Sequence, residues 1–350
     1  MVMDDRKIKI LEAIIRDYVQ TGEPVGSRTI AKKYDLGVSS ATIRNEMADL
    51  EELGYLEQLH SSSGRIPSDR GYRLYVDKLM QLTDLSQEEQ FFIKNKLLGS
   101  ALYELDKVVN EATRILSELT DLACIVKTPS LKRSSLKQIQ LISIDIHTIL
   151  VVIITNNGMI KNDVIKIEKP IEENILLKLN KLINLRLINL SVEDIDLEVI
   201  NNLRDDLKGY DDIFNALIPT LYKSLKNMET SEVYAEGTTN ILKYPEYSNI
   251  EKAREFFEFI NNEENLRLIL GEEESKTSNE EGIKINIGVE NNLTNAREYS
   301  IITAIYGFRD KPLGAIGVIG PTRMNYNKVI SSINSLIKEL NFNILQIYGK

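Results

Sequence analysis

Apolar residues spaced by three and four open the chain. Ile8, Leu11, Ile14 or Ile15, and Tyr18 form one stripe, which predicts a helix over residues 4–21. Asp4 and Asp5 suit its first turn, and Gly22 and Pro24 end it. Ser27 is expected to cap a short helix reaching Tyr34, with Ile30 and Ala31 inward. After a tight Leu36-Gly37-Val38 turn, Ser39 caps a third helix that runs to about Leu53 and closes on Gly54. Alternation over 55–59, a tip at 61–64 and a return at Arg65-Ile66 predict a small hairpin. Ser68 caps another helix with Tyr72, Tyr75, Val76 and Leu79 on one side.

A long helix is expected over 86–121. Leu98, Leu102, Leu105, Val109, Ala112, Leu116 and Leu119 step by four and three, so this stripe either covers a neighbouring sheet or meets a partner helix. Residues 129–138 read as a basic loop. Apolar runs at 139–145, 149–155 and 159–167 read as strands, the last two joined by Asn156-Asn157-Gly158, a strong hairpin signal. Residues 172–230 are mostly helical, 253–261 is another helix, and 271–282 is an acidic loop. Strands are expected at 283–289, 300–308 and 313–319, and a closing helix at 325–348. Strands at both ends of a largely helical stretch predict an α+β domain with another domain inserted into it.

With 350 residues, two or three domains are expected. The net charge is −9, so nucleic-acid contact requires a local patch. Residues 1–80 hold 12 Lys and Arg against 13 Asp and Glu, a balance of −1, and the remainder carries nearly all the excess acid. The lone Cys124, in the apolar run 122–126, suits a buried position and a reducing cytoplasm. No signal peptide is read at the start, and no apolar run nears the ~20 residues a membrane span requires. His60 and His147 are the only histidines, which excludes a His-rich metal site. No GxxxxGK[ST] loop occurs. Gly314, Gly317 and Gly320 have the wrong spacing for a dinucleotide fingerprint and read as a strand where backbones approach closely. No cofactor is expected.

The candidate chemistry lies between Pro24 and Tyr75. Two short helices, a three-residue turn, a hairpin and a further helix match the order of a winged helix-turn-helix. On the third helix Ile43, Met47, Leu50 and Leu53 share the buried face. Ala41, Thr42, Arg44, Asn45 and Ala48 then lie opposite, in the half that meets base edges. Arg pairs with guanine, Asn with adenine, and Thr or Ala methyls touch thymine. Ser39, Ser40 and the helix start can hold a phosphate. Asp49, Glu51 and Glu52 at the other end keep that end off the backbone. The tip brings His60, Ser62 and Arg65, with Arg70 and Arg73 nearby, and an arginine beyond a glycine can reach a narrow minor groove. The plainer readings are a solvated helix face, a solvated Arg65, and an Arg73 paired with an acid of its own domain.

At these residues the chain resembles the HrcA family of bacterial heat-inducible transcription repressors. The resemblance is carried by Tyr18, Pro24, Gly26, Ser27, Ser40-Ala-Thr-Ile-Arg-Asn45, Leu50, Gly54, Gly64-Arg65-Ile66-Pro67, Gly71-Tyr72-Arg73 and the segment GAIGVIGPTRMNY near the end. The tip reads HSSSGRIPS where the family commonly has HTSAGRIPT. The resemblance implies an α+β, multidomain fold: a winged helix domain over 1–82, a discontinuous GAF-like domain over 83–165 and 272–350, and a mainly helical dimerisation domain over 166–271. It further implies a homodimer binding double-stranded DNA at an inverted repeat called CIRCE and repressing chaperone operons. Heat would relieve the repression, with the chaperonin GroEL as a partner. Two other functions compete. A different ligand-sensing transcription factor would require a pocket lined by the strands at 139–155 and 300–319. An enzyme with a regulatory winged helix, as in biotin ligases, would require a phosphate-cradling loop and catalytic Lys or Arg, and neither is found.

Overall fold

A computed structural model describes residues 3–58, 63–100, 105–128, 135–156, 160–191, 194–229, 231–271, 282–308 and 311–348. Its helices and sheets make an α+β fold. Helix α1 (Asp5–Thr21) is capped by the Asp4 carboxylate, which accepts from the Lys7 N–H at 2.8 Å. Helix α2 (Ser27–Lys33) begins at the expected cap position itself, and its cap lies one residue earlier. Gly26 is its N-cap, so Ser27 lies inside the first turn and makes no cap. Helix α3 (Ser40–Glu52) follows the Gly37 turn, where a φ of +67° favours glycine.

Strands β1 (Leu56–Glu57) and β2 (Ile66–Pro67) are shorter than the alternation suggests, and Val25 adds a bridge to Arg65 beside them. The tip residues 59–62 lie outside the described residues. Helix α4 (Asp69–Leu74), capped by Ser68, runs on into a wider π-helical turn over Tyr75–Leu79.

The expected helix over 86–121 is two helices, α5 (Gln87–Ser100) and α6 (Leu105–Thr120), which pack on each other. Val109, Ala112 and Leu116 are fully buried, so of the two readings of the heptad stripe its α6 part covers a sheet. That sheet has the order β7-β3-β10-β9-β8 and is antiparallel throughout. Its strands are β3 (Ala123–Lys127), β7 (Val233–Glu236), β8 (Ile283–Ile287), β9 (Tyr299–Phe308) and β10 (Lys311–Pro321). One face packs under α6 and α12 (Tyr326–Tyr348), through Cys124, Val126, Ile302, Ile316 and Val318. The other packs under α10 (Ile250–Ile260) and α11 (Glu263–Gly271), through Ile125, Phe256, Phe259 and Tyr299. Gly317 faces Thr303 of β9 so closely that an added Cβ would stand 2.9 Å from its methyl, the close approach expected of this strand.

The strands of the Asn-Gly hairpin do not join that sheet. Strands β4 (Leu136–Asp145), β5 (Thr148–Thr155) and β6 (Ile160–Lys166) form a separate three-stranded sheet. One of its faces shares a core with α7 (Glu173–Leu187), α8 (Leu197–Asp206) and α9 (Asp211–Glu229). Residues 136–225 thus close on their own core, and 231–271 belong with the central sheet, so the boundaries expected at 165 and 271 do not follow the cores. A hairpin signal reports which neighbours pair, not which sheet they enter. Among the described residues the strands at 139–155 and 300–319 thus lie in different sheets with different cores. Among the described residues no helix is long and apolar enough to cross a membrane.

Candidate nucleic-acid interface

Helix α3 is held from below and left bare on top. Ile43 and Leu50 are fully buried and Met47 nearly so, against α1 and α2. Leu53, expected on the same face, is the half-buried C-cap. Buried Glu46 gives no signal in the apolar spacing. It accepts an ion pair from Lys7 at 2.8 Å, and Arg6 stands 3.4 Å away. Lys7 also reaches Asp49 at 3.1 Å. The Glu46 carboxylate, then that of Asp49, holds the Lys7 ammonium above the usual lysine range. Asp49 is thus tied to the underside and does not simply guard the helix end.

At the N-terminus the Ser39 hydroxyl accepts from the Thr42 N–H at 3.1 Å and lies 3.0 Å from the Thr42 hydroxyl. Ser39, Ala41, Arg44, Asn45 and Ala48 are exposed, and Ser40 and Thr42 are half-buried. Among the described residues Arg44 and Asn45 have no hydrogen-bonding or ionic partner. On α2, Arg28 and Lys32 are exposed one turn apart, a pair of cations that the apolar pattern did not single out.

The other arginines have protein partners. Arg65 donates from Nε to Glu51 at 2.7 Å, and its backbone exchanges two 2.9 Å hydrogen bonds with Val25. It therefore lies against the C-terminal part of α3, not free beyond the tip. Gly64 makes this possible, since a Cβ there would lie 2.5 Å from the Val25 carbonyl. Arg70 donates to the Leu53 carbonyl at 3.0 Å and lies 4.7 Å over the Tyr55 ring, so it closes the end of α3 opposite Ser39. Along a helix of 13 residues that is about 20 Å from the first turn. Arg73 reaches Asp77 of its own unit at 3.2 Å and also Glu290 of the central domain at 2.8 Å. His60 and Ser62 lie outside the described residues.

One exposed arginine and one exposed asparagine, side by side on a capped helix, form a donor set matched to base edges, and the flanking hydroxyls suit phosphate. A family model described as the HrcA protein C-terminal domain matches residues 106–330. A heat-inducible transcription repressor HrcA from Clostridium botulinum (strain Alaska E43) is 53% identical over the whole of both chains. The chain belongs to the HrcA family. Its members are heat-inducible transcription repressors, not enzymes. The HrcA of Clostridium acetobutylicum is 50% identical over 98% of each chain. That of Acetivibrio thermocellus is 40% identical over all of this chain and 99% of its own. A crystal structure titled as a hypothetical protein matches this HrcA-family fold with a TM-score of 0.72. It is 23% identical and covers 99% of this chain and all of its own.

Proposed function

We propose that this HrcA-family repressor reads DNA with the N-terminal half of α3. Residues 1–82 act as a winged helix-turn-helix unit, the 59–64 tip is its wing, and α3 lies in the major groove. The observation that carries the reading is the contrast among four arginines: Arg44 is exposed and unpartnered among the described residues, whereas Arg65, Arg70 and Arg73 each have a protein acceptor. Arg44 and Asn45 contact bases, with Ala41 and Thr42 against thymine methyls. Ser39 and Ser40 hold a phosphate, and His60, Ser62 and Arg70 lie along the flanking backbone. Arg65 exchanges Glu51 for DNA on binding.

The repressor works as a homodimer on an inverted repeat, the CIRCE operator of chaperone operons, because one such unit reads few base pairs and two-fold symmetry doubles the specific contacts. The central sheet with its helices is the GAF-like domain, and residues 135–229 are the dimerising domain. In support, the outer face of the β4–β6 sheet carries exposed Ile142, Ile160 and Val164 beside Leu150, Val152 and Ile154, an apolar surface that a second copy would cover. Release on heating, dependence on the chaperonin GroEL and a cytoplasmic location complete the reading, which for these rests on the family resemblance.

Fluorescence anisotropy of the purified chain with labelled duplexes tests it. An inverted repeat should bind two chains per duplex and far outcompete a scrambled sequence. Arg65→Ala should weaken every duplex alike and lower the salt slope by about one. Equal binding to repeat and scramble would end the proposal.

A further inference from the structure

The unit that carries α3 is clamped to the central domain by contacts that none of the proposed DNA-contacting residues makes. Arg73 on α4 donates from Nε to Glu290 at 2.8 Å and from Nη2 to the Ile285 carbonyl at 2.6 Å, on the outer edge of β8. Glu290 also accepts from the Ile287 N–H at 2.8 Å, so a single carboxylate joins the arginine to that edge. Beside it the Asp69 carboxylate accepts from the Val289 N–H at 3.0 Å. Gly288, at a φ of +52°, leaves space for that carboxylate, which an added Cβ would overlap.

A second clamp holds α1. Arg323, 7% exposed, is bound through Nη2 to Glu246 at 3.0 Å and lies 5.1 Å over the Tyr244 ring. Its Nη1 donates to the Val19 carbonyl at 3.3 Å, in the last turn of α1, where a cation suits the helix dipole. Gly22, at a φ of +72°, lets that turn approach, and an added Cβ would stand 3.0 Å from Nη2. The buried rings of Tyr72 and Tyr326, 5.9 Å apart, also pack across the junction. The connection over residues 80–86 has no regular secondary structure but is pinned to α12, where Thr83 donates to Asn327 at 2.9 Å and its carbonyl accepts from Ser331 at 2.6 Å; from that fixed base the clamps and the ring packing orient α3.

We infer that Arg73 with Glu290, and Arg323 with Glu246, are positioning residues that set which half-site spacing the dimer accepts. The inference rests on the dimeric reading of an inverted repeat given above. Two reading helices fit successive major grooves only when each is held at a fixed angle to the surface joining the two copies. A clamped unit therefore accepts one spacing. A unit with a loosened clamp shifts on the packing it shares with the central domain and accepts several.

The test measures the full-length chain against a single half-site and against repeats whose half-sites are moved apart by one or more base pairs. The wild type should prefer one spacing. Glu290→Gln and Arg73→Gln should bind the single half-site as tightly as wild type but discriminate among spacings roughly tenfold less, the size of a typical coupling between sites. The double exchange Arg73→Glu with Glu290→Arg should recover part of the discrimination. Unchanged discrimination in both single variants overturns the inference and leaves the repressor reading intact, as does an equal loss on the single half-site. A wild type indifferent to spacing and sequence removes both.

Discussion

What separates the arginines of the DNA-reading stretch is their acceptors. Arg44 lies one residue past buried Ile43, so helical spacing alone turned it outward, and the exposure of Ala41, Asn45 and Ala48 follows from the same period. Arg65 was not legible in this way. Its partner Glu51 is 14 residues away, and nothing local announces a pair closed by a hairpin. The Lys7–Glu46 pair was hidden for the same reason, since an acid on an apolar face shows its use only once α1 lies beneath it. Gly64 could be read from the sequence as a turn glycine, but its geometric reason is the Val25 backbone. Gly64→Ala should therefore cost about 1–3 kcal/mol of stability by overpacking, seen as a lower thermal midpoint. A midpoint equal to wild type would show that the hairpin yields freely.

Elements were legible where period and punctuation agreed, as in α1, α3, the Asn-Gly hairpin strands, β9 and α12. They were lost where a short apolar run carried no turn signal, as in β3 and β7, which lie side by side in the central sheet. Helices α5 and α6 share one unbroken apolar stripe in the sequence, and periodicity has no means of reporting that they pack on each other as two helices. The edge of β4 is closed by a device that no strand pattern reveals. Asn180 on α7 donates to the Leu141 carbonyl at 2.9 Å and accepts from its N–H at 2.6 Å. One turn on, Asn184 does the same for Ile139 at 2.5 and 2.8 Å. Two side-chain amides thus replace a neighbouring strand. Asn184→Ala should leave one N–H and one carbonyl of Ile139 without these partners and cost about 1–3 kcal/mol. Chemical denaturation measures it, and an unshifted midpoint would mean that water serves the edge equally well.

At the scale of the molecule, one core runs without a break from α1 to α12, so the DNA-reading unit and the central domain share their packing, while residues 136–225 keep a core of their own. Composition had suggested a near-neutral end and an acidic remainder, but it contained nothing about how the two meet. Buried phenols distributed through the shared core and the opposite face of the sheet make the whole sensitive to alkali. Burial pushes Tyr299 up to about 12, and it raises Tyr72, Tyr247 and Tyr326 as well. A phenol of raised pKa keeps its proton in the folded chain after the unfolded chain has lost it. The stabilisation is whole below pH 10 and drains away as pH rises toward 12. The denaturation midpoint should fall across that window, and Tyr299→Phe should flatten part of the fall; a flat wild-type curve would contradict the assignment.

The central claim is that the exposed start of α3 meets base pairs, and Arg44→Ala tests it most directly. Affinity should be titrated against a set of operator duplexes, each changed at one base pair. The account expects a loss of about 1–3 kcal/mol for each half-site and indifference at one base pair of each half-site that the wild type discriminates. An Arg44→Ala chain with wild-type affinity and wild-type preference at every position would contradict it.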